Sequence, residues 1–252
     1  MKKNGFLAIV IIFLLTIFIG CTANKKLIHQ QLNDTIISGL SSSGVSFDIE
    51  FFVGKAHNHP TFTVWTETMS EEFVETLFVT KFIGTGVFGY APTAQGEWQR
   101  QPGRAMRPAA LPYWMHKHGG KGQKEIKIPT PENPEPDAIT GATPKAGFLL
   151  KTNASQPYQE KFRLLVEVNQ TWDWNEYWTN SLYPNDVDYK TSCQPSVIYA
   201  VTIDPANPQQ EYYLNPIGHG HYSGKDGKLY TDISSLTTAL HIFDRVVVRC
   251  KK

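Results

Sequence analysis

Only three cysteines occur in 252 residues, at positions 21, 193 and 250, so no close pair offers a metal or redox spacing to read. An excess of charge of one sign is also missing. The chain carries 24 basic and 23 acidic residues, and a surface so nearly neutral argues against nucleic acid as a partner. No Gly-rich phosphate loop, Gly-x-Ser-x-Gly elbow or paired-carboxylate motif occurs, which leaves hydrolase chemistry without support. Long apolar runs are absent except for one at the N-terminus, and no internal repeat at a fixed period is present.

That single run follows Lys2 and Lys3 and extends from Phe6 to Ile19, interrupted only by Thr16. It is too short to span a bilayer comfortably and has the form of an export signal. It ends in Phe18-Ile19-Gly20-Cys21, which resembles the lipobox where bacterial lipoprotein signal peptidases cut before a cysteine that then carries acyl chains, although Phe18 replaces the usual Leu. Residues 1–20 are therefore expected to be a lipoprotein signal and Cys21 the lipidation site. The mature chain would be anchored to a membrane of the cell envelope, facing the periplasm or on the outer membrane. A plain signal-anchor helix is the competing reading. Cleavage removes Lys2 and Lys3, leaving 22 basic against 23 acidic residues. Only Cys193 and Cys250 then remain in an oxidising compartment. They form a disulfide, or they pack as two free thiols; one pair offers no pattern that decides.

Residues 21–44 are polar, end in Ser41-Ser42-Ser43-Gly44, and read as a flexible tether with a short helical stretch around Leu27 to Ile37. The folded domain is expected over 45–252. Strands are expected at Ser46 to Val53, Thr61 to Glu67 and Phe73 to Ile83, as an antiparallel meander, then at Gly147 to Lys151, Lys161 to Gln170, Ser196 to Asp204, Glu211 to Ile217 and Phe243 to Cys250. Asp204-Pro205-Ala206-Asn207-Pro208 supplies one turn. Residues 84–146 are rich in Gly and Pro with little periodicity, a long loop region of the kind that tends to carry function. The expected fold is all-β, an antiparallel β-sandwich of immunoglobulin-like type, with an open barrel as its competitor.

The sharpest motif is Asp137-Ala138-Ile139-Thr140-Gly141-Ala142-Thr143. It resembles the flavinylation motif of extracytoplasmic proteins, in which a flavin transferase joins the phosphate of FMN to the final threonine hydroxyl, here Thr143. Gly141 and Ala142 have so little side chain that an enzyme could reach that hydroxyl. Pro144-Lys145-Ala146-Gly147 follows where known acceptors continue with Thr or Ser. The bland alternative is a tight turn in which Asp137 and Thr140 bond backbone groups. Three His-x-His pairs, His57/His59, His116/His118 and His219/His221, would each present two imidazoles to zinc or copper if they lay on strands; solvated loop histidines are the plainer reading. The run Trp172-Asp173-Trp174-Asn175-Glu176-Tyr177-Trp178 either stacks on an isoalloxazine or sugar ring or covers the core at a strand end.

Several stretches taken in order carry a wider resemblance. Phe62 to Glu67, Phe73 to Val79, Arg107-Pro108-Ala109-Ala110-Leu111-Pro112-Tyr113-Trp114, Asp137 to Thr143 and Gln194 to Tyr199 together look like the predicted periplasmic proteins of domain-of-unknown-function family 2271. The resemblance spans most of residues 60–250. It implies an exported β-rich domain whose relatives are found near flavin transferases and membrane electron-transfer proteins, without established catalytic residues. Two functions are expected from the sequence. One is a lipid-anchored redox carrier with covalent FMN; the other is a binding or structural module that holds a metal, a glycan or a protein partner without flavin.

Overall fold

The computed structural model describes residues 32–39, 43–94, 97–119, 125–135 and 143–251. All lie within one compact unit, Gln31–Lys252. The expected export signal, Cys21, and Asp137, Thr140, Gly141 and Ala142 of the motif lie outside the described residues.

Two five-stranded sheets dominate. The first runs β1 (Asp34–Ser38), β9 (Phe148–Asn153), β2 (Ser46–Val53), β14 (Phe243–Lys251), β12 (Tyr212–Tyr213). The second runs β13 (Asn215–His219), β11 (Val197–Ile203), β10 (Phe162–Asn169), β3 (Thr61–Thr68), β4 (Phe73–Val79). Pairing is antiparallel except between β1 and β9.

The strict alternation of β2 explains the first sheet. Phe47, Ile49 and Phe51 point inward, while Asp48 and Glu50 point outward to ion-pair with Lys251 and Arg249 of β14. Inward residues of both sheets meet in one core. Phe62 of the second sheet touches the rings of Phe51, Phe148 and Phe243 of the first, at centroid distances of 5.1, 5.6 and 5.9 Å.

The second sheet is buried on both faces, so β3 and β10 show almost no polar side to water. Its outer face carries a second cluster in which Trp65, Leu165 and Ile198 meet Ile83, Phe88, Leu111, Trp114 and Met115. Apart from Ile83, in α1 (Lys81–Thr85), these partners come from the Gly/Pro-rich region, which forms β5 (Val87–Phe88), β6 (Ala91–Ala94), β7 (Glu97–Gln99), β8 (Gly103–Arg104) and α2 (Pro112–Lys117). The region expected as a long functional loop is thus largely a cover layer for a sheet.

Residue Leu111, at the start of α2, has no side-chain oxygen to cap the helix. Glu167 of β10 does this from below: its carboxylate accepts from the amides of Trp114 at 2.8 Å and Tyr113 at 3.2 Å, and from the Ser196 hydroxyl at 2.6 Å. Glu167 is fully buried, and burial pushes its carboxyl up to about 7. A second buried carboxylate, Glu67, lies between Lys117 at 2.9 Å and Arg163 at 3.5 Å.

Four expectations need correction. Asp34–Ser38 is a strand rather than helix or tether, because pairing with β9 satisfies its backbone, so the folded unit begins before Val45. The first three expected strands are not a meander: β2 lies in one sheet, and the chain crosses at His57 to Pro60 to form the β3–β4 hairpin in the other. The strand expected to Ile83 ends at Val79, where α1 follows. The strand expected over Glu211 to Ile217 breaks at Leu214, whose amide bonds Val246, and contributes β12 and β13 to different sheets.

Candidate functional site

The crossing at His57 to Pro60 is also where Thr143 lands. Its hydroxyl donates to the Pro60 carbonyl at 2.5 Å, and His57 Nε2 donates to the Pro144 carbonyl at 2.8 Å. Two hydrogen bonds therefore pin the end of the motif to the crossover, with His57 packed on Phe243 and its pKa lowered mainly by burial. Thr143 itself is half-buried.

On either side of Pro60, His59 and Thr61 line a cavity of about 310 Å³. Its other walls are Phe82, Phe88 and Tyr90 from the cover layer, Arg107, and Thr171 and Trp172 after β10. Tyr90 and Trp172 stand edge to face at 6.1 Å, and both are 42–43 % exposed, so aromatic surface faces the opening. Arg107 is buried, with its guanidinium 4.3 Å from the Phe88 ring centre and Nη1 donating to the Thr171 hydroxyl at 3.0 Å. Burial lowers its pKa to about 10, so it remains a cation at neutral pH. His59 and Trp172 both have positive φ, 53° and 57°. Such backbone costs about 1–3 kcal/mol for bulky residues and gathers where structure over-determines it. Here the Asn58 amide bonds Gln170 Oε1 at 2.8 Å and the Trp172 amide bonds the Thr191 carbonyl, tying the two strained segments in place.

The histidine pairs have different surroundings, although His116, bonded to Gly224, lies within electrostatic reach of His221. His57 faces the core and His59 faces the cavity. His116 and His118 sit at the end of α2, where residues two apart diverge by about 200°: His116 Nε2 donates to the Gly224 carbonyl, whereas His118 stacks on Trp114 at 4.0 Å and is held down to about 4 by burial. His219 and His221 alone share a cleft, together with Tyr177, Trp178, Tyr183, Tyr222, Tyr230 and Asp232. Among the described residues no group of three or more His, Cys, Asp or Glu is arranged to hold a metal.

The cysteines are free thiols, Cys193 buried and Cys250 half-buried. Cys250 pairs across to Phe47, whose ring meets Phe162 at the start of β10; Cys193 follows Ser192, whose hydroxyl donates to Asn169 at the end of β10. That strand spans about 23 Å. Bridged cysteines need Cα atoms within roughly 7 Å.

The tryptophan run divides between two places. Trp178 is core, while Trp172 lines the cavity with His59 and Thr61 and Tyr177 stands 59 % exposed at the histidine cleft. Sequence reasoning missed Arg107, Tyr90, Tyr222 and Tyr230, which lie far apart in the chain and join only through the cover layer and the segment after β13. Among the described residues no helix is long and apolar enough to cross a membrane. Comparisons of the chain with protein-family models, with curated proteins and with solved structures return no match.

Proposed function

We propose that this protein is an exported, lipid-anchored redox carrier of the cell envelope that bears FMN covalently on Thr143. The kinship with domain-of-unknown-function family 2271 and an immunoglobulin-like strand arrangement belong to the same proposal. One observation carries it: the last threonine of the motif is pinned at Pro60, between two residues that line an aromatic cavity containing a buried cation.

The residues fit a flavin. Planar aromatic walls at Tyr90 and Trp172 suit a three-ring system, and Arg107 suits electron-rich carbonyl or phosphate oxygens. Bound flavin supplies electron transfer, while the chain fixes its position and its exposure. Thr143 must first be released. An ester at Oγ1 removes the proton that bonds the Pro60 carbonyl, so attachment by a flavin transferase requires the turn at Thr143 to open from the crossover. A membrane electron-transfer protein is the expected partner, with Cys21 anchoring the carrier beside it.

The test is co-expression with a flavin transferase. Flavin fluorescence should stay with the protein band on a denaturing gel and vanish in Thr143→Val, which keeps the shape but has no acceptor oxygen. A colourless wild type alongside an active transferase returns the protein to the class of binding modules.

A further inference from the structure

The cleft of about 410 Å³ between β13 and the segment after Trp174 is lined largely by aromatic rings. Tyr183 and Tyr222 stack at 4.2 Å, His221 stacks on Tyr222 at 4.4 Å, and His219 lies nearly parallel to Tyr230 at 5.3 Å. Trp178 meets both His219 and Tyr222 at about 6 Å, and exposed Tyr177 leans edge-on against it at 5.1 Å.

Several polar atoms around these rings are engaged within the chain. Ser235 Oγ accepts from Trp178 Nε1, Asp232 Oδ1 from the Ser234 amide, and His221 Nδ1 from the Ser223 amide, while the Tyr230 hydroxyl donates to Asp226 and His219 Nδ1 to the Gly220 carbonyl. A sugar, which is recognised through many hydrogen bonds, competes with these internal partners for the same atoms. The formal charge is negative: among the described residues Asp232 lines the cleft with no Lys or Arg beside it, and the nearby Lys225 and Lys228 are taken by Asp186 and Asp226. Burial disfavours the charged form of His221, while Ser234 holds the Asp232 carboxyl below its ordinary value.

We propose that this cleft binds a quaternary ammonium group of the choline or betaine type. Such a cation needs no hydrogen bonds; it needs aromatic faces and a nearby carboxylate, and both are present. The site is independent of the flavin reading, because Thr143 and its cavity share no residue with it.

Calorimetric titration of the full chain with choline and with its neutral carbon isostere, 3,3-dimethylbutan-1-ol, tests this. Choline should bind saturably and about ten-fold more tightly than the isostere. Tyr177→Leu should weaken choline about three-fold and Tyr177→Phe should leave it unchanged, since only the ring face is used. Tyr177 is exposed, so neither change threatens the fold. Asp232→Asn should weaken choline and spare the isostere. Equal binding of the two ligands, competition by a pyranose instead, or no saturable binding would overturn the proposal.

Discussion

Exchange of Glu167 for Gln removes one charge from the middle of the molecule and leaves its volume almost unchanged. Wild-type Glu167 accepts three hydrogen bonds, two from backbone amides of α2 and one from Ser196. A glutamine presents one oxygen and one NH2. Whichever way it turns, a backbone N–H of Tyr113 or Trp114 faces the NH2, a loss worth about 1–3 kcal/mol for a buried donor. The pH dependence is more diagnostic. Burial raises the Glu167 carboxyl from 4.5 to about 7, so between these values the folded protein holds more protons than the unfolded chain. Its stabilising contribution is complete below pH 4.5 and is lost as pH rises through 7, by about 3 kcal/mol. Urea denaturation of wild type and Glu167→Gln from pH 4.5 to 8 isolates this contribution, because other titrations cancel in the difference. The variant should be the less stable protein at pH 4.5, and the gap should close or reverse by pH 8. A gap that stays constant across the range would refute the assignment of Glu167 as a carboxyl ionising within the fold.

Phe62→Ala should cost about 3–5 kcal/mol in the same assay, because its ring fills the centre of the main core. Lys117→Met should cost about 3 kcal/mol by leaving buried Glu67 with a poorer counter-charge; a change below 0.5 kcal/mol would place that pair effectively in solvent. Cys193 and Cys250 should both take up alkylating reagent in unfolded, unreduced protein, and a mass showing neither modified would establish a bridge instead.

The strands of this fold were legible where aromatic and β-branched residues lie between turn residues, as in Ser46–Val53. They were equally legible where β-branched and aromatic residues run continuously, as in Phe162–Asn169. What could not be read was the destination of each strand, since pairing partners are chosen by contacts across the chain. β2 and β3 therefore looked like neighbours though they sit in different sheets. Helix α2 was hidden because six residues are too few to show a 3.6-residue period, and its cap comes from Glu167 on another element. Thr143 and the aromatic run stood out in the sequence, and the structure ties Thr143 to Pro60 and puts Trp172 in the cavity wall. The buried Arg107 did not stand out, because nothing local distinguishes it from a surface arginine. Of the histidine pairs, His219 and His221 share a cleft, whereas His116 and His118 end a helix, where a spacing of two does not give a shared face.

The central claim concerns a single oxygen, Thr143 Oγ1, now bonded to the Pro60 carbonyl. Its most direct test is a mass spectrum of the mature protein isolated from its own host, followed by fragmentation of the peptide that contains residues 137–147. An added mass equal to FMN less one water, located on Thr143, is the expected result. An unmodified Thr143 in protein taken from cells that make an active flavin transferase would contradict it.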